Sequence, residues 1–397
     1  MLCGCEDETT PAMQIKPTGD IPIVSIVTSQ GKQIEKEWMG AQITVSHMEG
    51  QDDVAVHGKV RGRGNATWKY EKKPYRIKLD TEQQLMGFPA SRNWVLLAEY
   101  TDKSLLRTAF MCEIARAVGM DYVINYQHVE VTIDGEYKGV YLLVEQVERA
   151  RQRINVAIDG FIIEDDNYYK EEPLWFSTEL MSLYYTFKYP NTEDDDIVRG
   201  DADYNFISNY MNQLEEALLK IPEDCESYRK YVDIESFAKW FVVAEVTQNW
   251  DPNFYYVLRR RTDKLRMLPL WDAEWTMGLA LGDNPEKKWY YPPTQPRVDV
   301  AVWPTRRYFT YLMQDPAFVS EVHKWLQVLC VGSAAMQSRV MSRSVAIENA
   351  QENNFKRWPV LDTYLAAGLI ALGSWQAEVD YVFNFFAERL EWMMQTY

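Results

Sequence analysis

The chain has 397 residues, 47% hydrophobic and 14% aromatic, which is ample for one large or two to three ordinary cores and excludes a disordered or low-complexity protein. A formal net charge of −16 argues against general nucleic-acid or anionic-membrane binding, because that requires clustered Lys and Arg. Five scattered cysteines provide neither a disulfide framework nor zinc spacing, and no apolar run reaches the ~18 residues that a membrane span needs.

The opening Leu2-Cys3-Gly4-Cys5, followed by Glu6-Asp7-Glu8, resembles the end of a bacterial lipoprotein signal, with Cys5 as the lipidated residue, although no basic or apolar segment precedes it. That reading makes 1–20 an exposed tether, predicts a cell-envelope location and confines membrane contact to a lipid anchor. From residue 21 the runs 23–27, 41–45, 54–60, 74–79 and 94–97, separated by Gly- and Asp-containing breaks, predict an antiparallel sheet.

The densest chemistry of the first half is VRGRGNATWKYEKKPYRIKLD, residues 60–80. Two glycines alternating with Arg61 and Arg63, then Asn65 and Thr67, form either a loop that cradles an anion or a tight turn with solvated arginines. In the following strand Tyr75, Ile77 and Leu79 share one face, and Arg76 and Lys78 the other. Lys78 thus either aims at the same anion or remains in water.

Thr101-Asp102 predict the cap of a helix reaching about residue 118, with Gly119 ending it and Glu113 as its deep carboxylate. Strands 127–133 and 139–147 flank the hairpin turn Asp134-Gly135. Glu145 lies on the second of these, and its exit at 145–148 is where a connection to a second lobe would leave the sheet. A strand pair at 161–164 and 183–188 and helices at 203–220 and 233–248 lead to Asn249. There NWDPNFYYVLRRRTDKLRMLPLWDAEWTMG predicts a hairpin of strands 254–258 and 265–270, with Asp251 just before it and Asp272 just after. An irregular stretch at 284–304, rich in Pro, Trp and Tyr, precedes helices predicted at 316–331, 334–355 and 373–394.

RGRGNATWKYEKKPYRIKLD, EYTDKSLLRTAFMCEIARAVGM, VTIDGEYKGVYLLVEQVE and LPLWDAEWTMG, in that order and over about 23–278, resemble the spore coat protein H (CotH) family of atypical protein kinases. The resemblance implies an α+β, kinase-like bilobal fold, with a sheet-rich N-lobe at 21–148 and a mainly helical C-lobe at 149–397. It implies binding of ATP with Mg²⁺ or Mn²⁺ and phosphorylation of protein Ser or Thr. By the same resemblance Asp251 is the catalytic base and Asp272 a metal ligand, with Glu274 and Asn253 assisting. Arg61, Arg63 and Asn65 then lie near phosphate, Lys78 and Glu113 form an orienting ion pair, and Glu145 belongs to the cofactor side. The chain has Asp272-Ala273-Glu274 where the family often has Asp-x-Asp, and glutamate has a longer reach toward a metal. Neither His-Arg-Asp nor Asp-Phe-Gly is present. Two rival readings are a surface binding protein that uses the aromatic residues of 289–303 and a paired-acid glycoside hydrolase built on Asp272 and Glu274.

Overall fold

Side chains that alternate between two faces every second residue build the first half of the molecule. Strands β1 (Ile23–Thr28), β2 (Met39–Ser46), β3 (Val54–Gly62), β4 (Tyr75–Gln83), β5 (Ser91–Leu97), β6 (Tyr126–Ile133) and β7 (Glu136–Glu145) close into a barrel in the order β1-β2-β3-β4-β5-β7-β6. The computed structural model describes residues 15–397 apart from 30, 48, 51, 192–196, 222, 250–252, 280–284, 287–305 and 367–368. Cys5, Asp251 and the aromatic stretch 289–303 lie outside the described residues.

The sequence predicts an antiparallel sheet here, and the structure differs in one pairing, the parallel contact of β1 with β6 that closes the barrel. Val24, Ile43, Val60, Ile77, Trp94 and Val131 fill the interior. Strands β5 and β7 are buried on both faces: Val95, Leu97, Leu142 and Val144 join a second core formed with the C-terminal part. This explains why both read as nearly unbroken apolar runs.

Helix α1 (Arg107–Ala117) connects β5 to β6. It starts later than the Thr101-Asp102 signal predicts, because Leu105 takes a φ of 60° that no helix accommodates. Asp102 still acts as its cap across the intervening loop, with its carboxylate accepting from the backbone N–H of Ser104 (3.0 Å), Leu106 (3.1 Å) and Arg107 (2.8 Å).

A second, five-stranded sheet has the order β12-β11-β8-β10-β9, formed by β8 (Phe161–Asp165), β9 (Trp175–Ser177), β10 (Tyr184–Tyr189), β11 (Phe254–Leu258) and β12 (Arg266–Met267). The predicted hairpin is β11 with β12, which pair antiparallel. The helices α2 (Ala202–Leu218), α3 (Ile234–Thr247), α4 (Arg306–Leu312), α5 (Pro316–Ala346) and α7 (Trp375–Thr396) share a core with this sheet, while α6 (Glu348–Arg357) packs on β7 of the barrel. Helix α5 runs unbroken for 31 residues through Gly332, where the sequence predicts an interruption. One glycine costs a helix only about 1 kcal/mol, which packing of the apolar residues on either side outweighs. The architecture is mixed α+β, with a sheet-rich N-terminal region and a helical C-terminal part.

Candidate functional site

The outer face of β3 and β4 carries cations at alternate positions. Lys59 lies opposite Lys78 and Arg61 opposite Arg76, and Arg63 continues the β3 row into the turn beyond it. Like charges directly opposed across strands are unfavourable by a few tenths to about 1 kcal/mol per pair. Among the described residues no carboxylate pairs with Lys59, Arg61, Arg63 or Lys78. The strip therefore holds positive charge ready for an anion.

Its far end meets the segment after β12. The Arg63 guanidinium lies 5.4 Å above the Trp271 ring, and its charge opposes the burial that raises the pKa of Asp272. Asp272 is held at a φ of 53°, a backbone conformation that costs energy for a residue with a side chain and recurs at functional sites. Arg63, Tyr70, Lys72, Glu99, Asp272 and Glu274 line one cleft.

Glu274 is buried. Its Oε1 accepts from the backbone N–H of Thr101, from the Thr101 hydroxyl (2.6 Å) and from the Asp102 N–H (3.2 Å). Burial, and then the charge of Asp272, push its pKa up to about 7. Arg107 locks the same corner: it forms an ion pair with Asp102 at 2.5 Å, with both side chains fully buried, and donates to the Thr276 carbonyl at 2.9 Å. The loop before α1 and the segment 272–277 are thus fixed to each other.

Beneath the cleft lie two groups that the sequence reading passed over. Lys72, one of the lysines between the Gly-Arg turn and β4, is buried with Nζ donating to the Val140 carbonyl, and burial lowers its pKa to about 7. Glu99, at a φ of 45°, is buried with Oε1 unbonded. Burial and then Asp102 push its pKa well above the carboxylate range. The one sequence signal for Glu99 is its position directly after the apolar run of β5.

The predicted site residues separate into two groups. Arg61, Arg63 and Lys78 share the cationic face, and Asp272 and Glu274 lie at its end. Asn65 is exposed in the turn beyond β3. Asn253 donates to Glu164 at 2.9 Å, and Glu164 in turn pairs with Lys188. The expected pair of Lys78 with Glu113 does not form. Glu113 accepts from Arg116 (2.7 Å), Tyr126 (2.9 Å) and Arg339 (2.6 Å), joining α1 to α5, whereas Lys78 projects from the barrel's outer face. Glu145 is also engaged elsewhere: its Oε2 accepts from the Tyr122 hydroxyl and the Asn125 N–H, both at 3.0 Å, and Arg153 stands 3.5 Å from Oε1. It braces the end of β7. Among the described residues no group of three or more His, Cys, Asp or Glu side chains is arranged to hold a metal ion.

A family model described as CotH kinase protein matches residues 60–393. The chain belongs to the CotH kinase family. No curated protein matches it. The CotH match covers the cationic strip, the Asp272–Glu274 segment and the helices down to the last turn of α7, so the C-terminal part that the sequence motifs leave unassigned belongs to the CotH unit as well.

Proposed function

We propose that the chain is an ATP- and divalent-metal-dependent protein kinase that phosphorylates Ser or Thr. The observation that carries this reading is a strip of cations in which Lys59, Arg61, Arg63 and Lys78 form no ion pair with a carboxylate among the described residues, and which ends at a carboxylate pair in one cleft. Phosphoryl transfer asks a protein for positioning and charge neutralisation rather than for a strong nucleophile. Arg63, at the end of the strip beside Asp272, would take the phosphate oxygens through paired N–H contacts of its guanidinium fork, with the charges of Arg61 and Lys78 adding to the attraction along the strip. Asp272 and the second oxygen of Glu274 fit Mg²⁺ or Mn²⁺, since such ions take one or two carboxylates and fill the remaining positions with phosphate and water. Asn253 would offer its amide oxygen, its NH₂ being given to Glu164. When bound, the metal neutralises charge on the β- and γ-phosphates. The acceptor hydroxyl oxygen bonds to the γ-phosphorus as the bridging bond to ADP breaks, and its proton passes to a carboxylate, the role the sequence motif gives Asp251.

Incubation with γ-labelled ATP, Mn²⁺ and a casein-type acceptor should label the acceptor or the chain itself. Asp272→Ala and Asp251→Asn should abolish the label, and labelling by these variants at the parent's rate would overturn the assignment. A second reading, a nucleotide-binding protein without transfer, draws support from Glu274, whose Oε1 is engaged by Thr101 and Asp102. A thermal shift with ATP and Mn²⁺ without transfer of label would select it.

A further inference from the structure

Ahead of the family-matched residues, the connection between β1 and β2 lays Trp38 across the cationic strip. The Arg61 guanidinium stands 4.7 Å from the Trp38 ring centroid and that of Arg76 5.7 Å from it. The backbone fixes this connection, since Gly62 N–H donates to the Glu35 carbonyl at 2.6 Å and Ser29 N–H to the Gly40 carbonyl at 2.9 Å. Trp38 nonetheless remains 36% exposed, unusual for so large an apolar ring, and the Arg61 Nε beneath it is buried without a hydrogen-bond partner among the described residues. Each feature has a local cost, and a flat aromatic ligand carrying phosphates relieves both.

We propose that Trp38, backed by Arg61 and Arg76, is the platform on which the base of the nucleoside triphosphate stacks. This rests on the phosphotransfer reading and adds the residue that recognises the base. An electron-rich indole held against guanidinium groups is polarised toward a second flat π-system. Arg63 lies two strand positions beyond Arg61, roughly 7 Å along the row, so the platform and the phosphate end of the strip are offset along one direction as base and phosphates are in a nucleotide. Stacking reads a π-face and no base edge, so the platform accepts adenine and guanine alike and distinguishes a nucleotide from bare phosphate.

Calorimetric titration of the parent, Trp38→Ala and Trp38→Phe with ATP and with inorganic triphosphate, all with Mn²⁺, tests this. Trp38→Ala should weaken ATP about tenfold or more and leave inorganic triphosphate unchanged, with Trp38→Phe recovering most of the loss. Equal ATP binding by parent and Trp38→Ala overturns the platform alone. Loss of ATP and triphosphate in equal measure also overturns it, since Trp38 would then merely hold the arginines in place. A parent that binds no ATP overturns the phosphotransfer reading, and the platform with it.

Discussion

At the scale of single residues, the site stores unfavourable charge that a ligand can relieve. Asp272 has a raised pKa from burial, a φ of 53° and a carboxylate neighbour in Glu274. Asn tolerates the same backbone conformation and carries no charge. Asp272→Asn should therefore leave the fold intact and raise stability by roughly 0.5–2 kcal/mol while removing phosphoryl transfer, the exchange of stability for activity expected at a functional site. Thermal melts beside γ-labelled ATP assays check this, and a variant less stable than the parent would contradict it. Glu274 predicts a pH effect. Its folded pKa of about 7 lies above the ordinary carboxylate value, so its contribution is fully present below about pH 4 and is lost as pH rises through 7. Glu274→Gln keeps an oxygen for Thr101 and cannot ionise, so its melting temperature should match the parent near pH 4, rise above it progressively between pH 5 and 7, and stay above it at pH 8. The shared face of Arg76 and Lys78 was legible in the sequence, because alternation along a strand is a local property, whereas Arg61 read as part of a glycine loop and lies instead within β3, paired with Arg76. Lys72 and Glu99 were not legible, because their burial comes from β7 and from 272–277, distant in sequence.

Among the secondary-structure elements, β3 and β4 carry the phosphate grip of the proposed function, and a glycine sets how closely they approach. A Cβ on Gly58 would lie 2.6 Å from the Lys78 carbonyl oxygen and 2.9 Å from the Leu79 Cα, both backbone atoms of the partner strand. Neither can swing aside as a side chain would. Gly58→Ala should force β3 and β4 apart and cost about 1–3 kcal/mol, the usual range for overpacking, and should weaken ATP binding because Lys59–Lys78 and Arg61–Arg76 lose register. Denaturant midpoints and nucleotide titrations of that variant would show both losses together. If stability fell and nucleotide affinity stayed, the strip would not be the phosphate grip. Most element positions followed from local pattern, and the misses have physical causes. The parallel β1–β6 pairing joins segments some hundred residues apart, which no local period encodes, and the start of α1 is set by Leu105's positive φ rather than by its cap.

Over the whole molecule, the C-terminal helices return to hold the barrel, which blurs the division at 148/149 that the sequence suggests. On the hairpin of β6 and β7, Asn354 accepts from the Val140 N–H at 3.0 Å, the Trp358 indole donates to the Lys138 carbonyl at 2.8 Å, and Arg357 pairs with Glu136 at 2.7 Å. Lys103, in the loop that Glu274 caps, donates to the carbonyls of Leu361 (3.4 Å), Thr363 (2.8 Å) and Ile370 (3.1 Å), and the Trp375 indole donates to Ser104 at 3.0 Å. At the other end of α7, Arg389 pairs with Glu245 of α3 at 3.0 Å with both side chains fully buried. Losing one partner of such a buried pair costs about 3–5 kcal/mol. The C-terminal segment therefore holds both the barrel hairpin and the loop that Glu274 caps, and the apolar core formed by β5, β7, α1 and the C-terminal helices is continuous. A chain of this length ordinarily unfolds part by part. Here the clamp predicts that β3–β4 and α5 lose hydrogen-exchange protection at the same denaturant concentration. Arg389→Ala should shift both midpoints downward together, although it lies in the last helix. If the barrel kept its protection after α5 had exchanged, the two parts would be independent folding units, and the clamp would not couple the C-terminal helices to β3 and β4.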